Sequence, residues 1–218
     1  MSLECKRYRH LELNEEEARR RHLEQLDRHI LERIERRLGE YIPRERLERV
    51  REHKARFLKH EEYLEHLRRE YNYRPTEGER VLGDCRGEGI CQITIDREHP
   101  LVPKTLAHER LHQLCDARFR EFFGHPLHEG LTEYLARKIS PDLQIRDLGE
   151  SYPKERRLVE MLFARAGDDA LQRAYFQGDW RLLQQRVERD LGEGALEKVI
   201  QAAKQENYEE AERLLKGF

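Results

Sequence analysis

The chain has 218 residues, enough for one domain, with or without a helical appendage, and for a real hydrophobic core. Charged residues make up 39% of it and hydrophobic ones 37%, yet 42 basic side chains stand against 44 acidic ones. The net charge of -2 supplies no global field that would draw the protein to nucleic acid or to a membrane surface.

The N-terminus, MSLECKRYRH, carries no apolar signal core, which predicts a cytoplasmic protein. No run of about 18 apolar residues occurs anywhere, which predicts no transmembrane helix. Residues 4–13 read as a short strand, and Asn14 with Glu17 as a capping box opening a helix. Leu23, Leu26, Ile30, Ile34 and Leu38 then form a helical stripe that ends at Gly39. Pro43 opens a second helix, whose face carries Leu47, Val50, Lys54, Phe57, Leu64, Leu67 and Tyr71. The arginines and glutamates around these stripes alternate in sign, as on a solvated face.

From Pro75 the texture changes. Segments 80–84 and 90–95 read as strands around a glycine-rich turn, and 96–103 as a loop. Residues 104–123 read as a helix closed by Gly124 and Pro126, and 127–139 as another stopped by Ser140-Pro141. After Pro153 the chain is expected to be helical, with helix pairs at 168–191 and 193–216 and Tyr175, Phe176 and Trp180 in their core. The segment QENYEEAERLLKG has the texture of half a helical repeat, but one unit does not make an array. Three segments follow from this pass: 1–73, 74–150 and 151–218. The four cysteines are too sparse for a disulfide scaffold, and reduced thiols are expected, with Cys85–Cys91 as a conceivable loop bridge.

The chemistry concentrates at TLAHERLHQL, residues 105–114. His108 and His112 lie four apart, so on a helix they are separated by only about 40° and face the same way. Two neutral imidazoles so placed can reach one zinc ion. Glu109 is rotated by about 100°, beside the metal position and not on it, where it can take a proton from water held there. The chain is rich in His and Glu, and an HExxH arises by chance about 0.1 times in such a sequence, so context matters. Ala107, Leu111 and Leu114 supply an apolar stripe that would half-bury the helix with the histidines at its edge. Downstream, Glu129 and Glu133 share one helical face while Leu131, Leu135 and Ile139 bury the other.

At these residues the chain resembles the gluzincin metallopeptidases, whose HExxH is followed on a later helix by a glutamate ligand within ExxxE or ExxxD. HERLH at 108–112 and EGLTE at 129–133 match that pattern, and the resemblance covers roughly residues 80–140, with the short spacing of minigluzincin-like members. It implies an α+β, mostly α fold: a small zincin-like sheet with a backing helix, an active-site helix (104–123), a glutamate helix (127–139) and C-terminal helices. Segment 74–150 would be the catalytic core. It also implies one Zn2+ per chain held by His108, His112 and Glu129, with Glu133 orienting His108 from behind. His128 departs from the asparagine of many relatives; it would orient His112 or compete for zinc, and His125 is the other rival ligand. Tyr152 is the first candidate for stabilising the oxyanion, with Tyr134 and His125 as alternatives. Arg118 stands where a metzincin needs its third histidine. Cys115, three after His112, is either a packing residue or a redox-sensitive neighbour of zinc, and Cys85 would need to reach the metal to silence it.

The expected activity is hydrolysis of a peptide or protein substrate, the strand at 90–95 pairing with an extended chain. The helical regions would regulate access or recruit a protein partner. The rivals are a non-catalytic helical interaction protein with structural zinc or none, and a nucleic-acid-associated HExxH protease.

Overall fold

The computed structural model describes residues 3–73, 83–86, 92–143 and 151–217, with side chains omitted at 3–14, 84–86, 142 and 143. Helix α1 spans Leu3–Leu38, about 54 Å at 1.5 Å per residue. The expected strand at 4–13 is therefore helix, and Asn14 lies inside α1 instead of capping it. The physical reason is composition: Leu, Glu, Lys and Arg are strong helix formers, and the segment has no β-branched residue. The stripe behaves as read, with Ile30, Ile34 and Leu38 essentially fully buried. The helix stops at Gly39, where a Cβ would sit 2.3 Å from the Glu35 carbonyl oxygen.

Pro43 precedes α2 (Arg44–Glu52), but the second helix does not run on to Tyr71. It breaks into β1 (Arg56–Leu58) and α3 (His60–Tyr71). Phe57 keeps helical spacing from Val50 by coincidence; its backbone is claimed by a neighbouring strand. A carboxylate oxygen of Glu62 accepts from the Lys59 backbone N–H at 3.0 Å and restarts the helix.

Strand β3 (Gln92–Asp96) overlaps the expected 90–95, whereas β2 (Gly83–Arg86) shares only 83–84 with the expected 80–84 and runs into the expected glycine-rich turn; the sheet order is β1-β3-β2. β1 runs parallel to β3 with Phe57 opposite Ile95, and β2 runs antiparallel with Gly83 opposite Ile95. β3 is thus the central strand, with Ile93 and Ile95 fully buried. Both its edges are occupied, so the segment expected to pair with substrate cannot do so. The expected Cys85–Cys91 bridge and any reach of the Cys85 thiol toward the metal lie outside the described residues.

The single helix expected over 104–123 is two. α4 (Val102–Leu114) ends at Cys115 in extended backbone, and Asp116 caps α5 (Ala117–Ile139), its carboxylate accepting from the Arg118 N–H at 3.1 Å. Apolar spacing from Leu114 to Phe119 and Phe123 continues across the break and conceals it. α5 kinks at Gly124 (φ 79°), and the stretch from 127 to 139 behind the kink is the expected glutamate helix. A 3-10 turn at Ser140–Leu143 follows. α6 (Pro153–Gln177), itself broken at Gly167, then α7 (Arg181–Leu191), α8 (Ala195–Lys204) and α9 (Tyr208–Lys216) form the expected pairs. Tyr175 and Phe176 are fully buried, and Trp180 stacks on Phe122 with ring centroids 4.4 Å apart.

The protein is therefore α+β and mostly α. One core cluster joins Ile34 of α1, Ile95 of β3, Leu111 of α4, Leu131 of α5, Phe176 of α6 and Leu215 of α9. Among the described residues no helix is long and apolar enough to cross a membrane.

Candidate metal centre

α4 buries Leu106, Ala107, Leu111 and Leu114 completely, which leaves His108 and His112 along the seam it shares with α5. The second half of α5 brings Glu129 to the same seam. The Nε2 atoms of the two histidines are 3.0 Å apart, and Glu129 Oε2 lies 3.2 Å from each. Three donor atoms on two helices thus form a nearly equilateral triangle. A tetrahedral ion with bonds of about 2.05 Å has ligand atoms about 3.3 Å apart, so the triangle matches one face of a zinc-sized site.

The outward nitrogens support this. His108 Nδ1 faces Glu133 Oε2 at 3.4 Å. His112 Nδ1 faces His128 Nε2 at 3.2 Å and Thr132 Oγ1 at 3.4 Å. In the neutral imidazoles these outer groups would accept the Nδ1 protons and leave the Nε2 lone pairs turned toward Glu129. Three converging lone-pair bearers suit a cation better than one another. His108, His112 and Glu129 form a largely buried group able to hold a metal ion.

Protonation in the bare site follows the same geometry. Burial pushes the His112 pKa down to about 3, against the pull of Glu129 and with His108 adding to the drop. Burial acts the same way on His108, but the hydrogen bonds its ring N–H groups donate to Glu129 and Glu133 outweigh it and carry its pKa up to about 9. Glu129 is held far below the carboxylate range because those imidazole hydrogen bonds overcome its burial.

The outer contacts are extensive. Glu133 is completely buried, with Oε1 receiving Lys104 Nζ at 3.0 Å and Arg137 Nε at 2.7 Å. Thr132 Oγ1 donates to the His128 carbonyl at 2.7 Å and meets the Tyr175 hydroxyl at 2.6 Å. His125 is largely exposed, its Nδ1 3.4 Å from Glu129 Oε1.

Tyr152 stands at the N-terminus of α6 with its ring stacked on His108, centroids 5.8 Å apart and planes within 10°. Its backbone is left-handed (φ 50°), an unfavourable state for a non-glycine residue that surrounding contacts must hold. Gly130 makes this approach possible: a Cβ there would be 2.5 Å from the Glu155 carbonyl oxygen of α6. The residue is 39% exposed overall, but desolvation of its hydroxyl together with the charges of Glu129 and Glu109 pushes that group well above its ordinary pKa. Tyr134 points elsewhere, toward Asp168 and the Phe163 ring. Glu109 is buried outside the donor triangle, beside His108 and under β2, its Cγ 3.2 Å from where a Cβ on Gly83 would lie. Cys115 also lies outside the triangle; its thiol, pushed up by burial, donates to the Asp116 carbonyl.

Lys104, Thr132, Arg137, Ser151 and Tyr175 were not among the expected site residues. Lys104 was within reach of the spacing argument, since 104, 108 and 112 make one helical stripe. Tyr175 was not, because 43 residues separate it from Thr132. Compared with protein-family models, with curated proteins and with solved structures, the chain gives no match.

Proposed function

We propose that the protein is a zincin-like, zinc-dependent peptidase of the gluzincin type. The observation that carries this reading is the donor triangle of His108, His112 and Glu129, with Glu109 buried beside it and outside it. Two imidazoles and one carboxylate are a donor set that suits zinc and leaves a fourth position for substrate or solvent. When bound, zinc supplies Lewis acidity, polarising a peptide carbonyl and making water a good nucleophile near neutral pH.

The chain's own residues do the rest. Glu109 takes the proton from the attacking water at its carboxylate and delivers it to the leaving nitrogen. Tyr152, kept protonated by its raised pKa, presents an O–H donor to the carbonyl oxygen as negative charge builds there. Glu133 holds the tautomer of His108, and His128 with Thr132 that of His112. Among the described residues β2 pairs only with β3, so the other edge of this strand, which lies over Glu109, is where an extended substrate would add a strand.

Glu109→Gln preserves size and hydrogen bonding while removing the base. It should keep zinc and fold but lose hydrolysis of a mixed pool of unfolded peptides by about 100-fold or more. Cleavage by this variant at the wild-type rate would refute the assignment.

A further inference from the structure

Lys104 is an unusual residue to find inside a protein of this size. It is 4% exposed, and a buried ammonium is tolerated only when its N–H groups are matched. Its two partners are each tied to a contact of one imidazole, Glu133 at the Nδ1 edge and Ser151 through Tyr152 at the ring face. Nζ is 3.0 Å from Glu133 Oε1, the side chain that backs His108 at Nδ1. It also donates to Ser151 Oγ at 2.7 Å, the residue immediately before Tyr152, whose ring covers the face of His108.

Charge balance alone does not explain the lysine. Arg137 Nε already meets the same carboxylate oxygen at 2.7 Å, so Glu133 has a cationic partner without Lys104. The contact that distinguishes Lys104 from Arg137 is the one to Ser151. That contact falls next to Tyr152, which among the described residues near the site is the one with left-handed, non-glycine backbone. Such backbone persists only where neighbours fix it. Position 104 lies one helical turn before 108 on the same face of α4, and Glu133 meets both side chains there.

We propose that Lys104 is a positioning residue: its ammonium ties Glu133, at the Nδ1 edge of His108, to Ser151, next to Tyr152, and so fixes the Tyr152 ring over the face of the metal-binding imidazole. The role in metal binding rests on the zinc-site reading above; the role in placing Tyr152 does not.

The test is carried out on the full chain by NMR, first without metal. The shift that the Tyr152 ring imposes on the His108 ring protons is defined by comparing wild type with Tyr152→Leu. Lys104→Met and Ser151→Ala should each remove most of that shift, while Arg137→Met should keep it. Zinc affinity, measured by competition with a chelating dye, should fall on the order of 10-fold in Lys104→Met, as for loss of an outer partner, and little in Ser151→Ala. A merely structural lysine would lower thermal stability and leave the Tyr152-dependent shift in place. If Lys104→Met does not fold, Ser151→Ala decides, because it keeps the lysine and removes only the link. Persistence of the full shift in Ser151→Ala overturns the proposal. Failure of wild type to bind zinc would overturn the peptidase reading, while the metal-free shift would still decide the role of Lys104.

Discussion

Thr132 carries more of the site than its size suggests. Its hydroxyl touches His112 Nδ1, the His128 carbonyl and the Tyr175 hydroxyl, all in the interior. Thr132→Val keeps the shape and strands those partners, so unfolding should show a loss of about 1–3 kcal/mol. Zinc affinity should drop as well, by roughly 10–100-fold, because the His112 tautomer loses a support. An unchanged denaturation midpoint and zinc affinity would show that the hydroxyl is idle. The triangle residues were legible in the sequence because their geometry is local: four residues of helix put His108 over His112, and Glu129 stands in a second short motif. The Thr132–Tyr175 contact was not legible, since it depends on how α6 crosses α5, which no spacing within one helix encodes.

At the scale of elements, the α4–α5 junction is held by Asp116. Its carboxylate caps α5 and meets Arg46 of α2 at 2.9 Å, while Arg46 also donates to the carbonyls of Leu114 and Phe176. Burial would raise the Asp116 pKa, but the hydrogen bonds of Arg118 and Arg46 outweigh it and hold the value below normal. A depressed folded pKa contributes stability that is present above the unfolded value, about 3.9, and lost as pH falls through the folded one. Acid titration of stability should therefore be shallower below about pH 4 in Asp116→Asn than in wild type. Equal slopes would contradict the pairing. The packing of α6 on α5 makes a second demand at this scale. Gly130→Ala forces α6 away from the Glu155 carbonyl and should cost about 1–3 kcal/mol, read as a lower melting temperature. It should also disturb Tyr152, three residues before Glu155. The junctions were the part of the fold hardest to read. Apolar spacing runs on through Cys115, and through the turn before β1, and hides both breaks: the first is marked by a local signal, the Asp116 cap, and the second only by a tertiary one, the pairing of Phe57 with Ile95.

The whole molecule shares one core, and this sets how the metal and the fold depend on each other. The donor triangle joins α4 to α5, and α5 packs on α6 and α8. An ion that binds only the folded triangle should stabilise the entire chain, by about 4 kcal/mol at a free concentration 1,000 times its Kd. Thermal melts with and without zinc should show this as an upward shift of a single transition. Glu129 and Glu133 favour a proton on bare His108 that metal must displace, so zinc affinity should rise with pH. The metal content of the untagged 218-residue chain, wild type against His112→Ala, tests the zinc site most directly. About one zinc per chain is expected in wild type and essentially none in the variant; equal zinc in both, or none in wild type after zinc is supplied, would rule the site out.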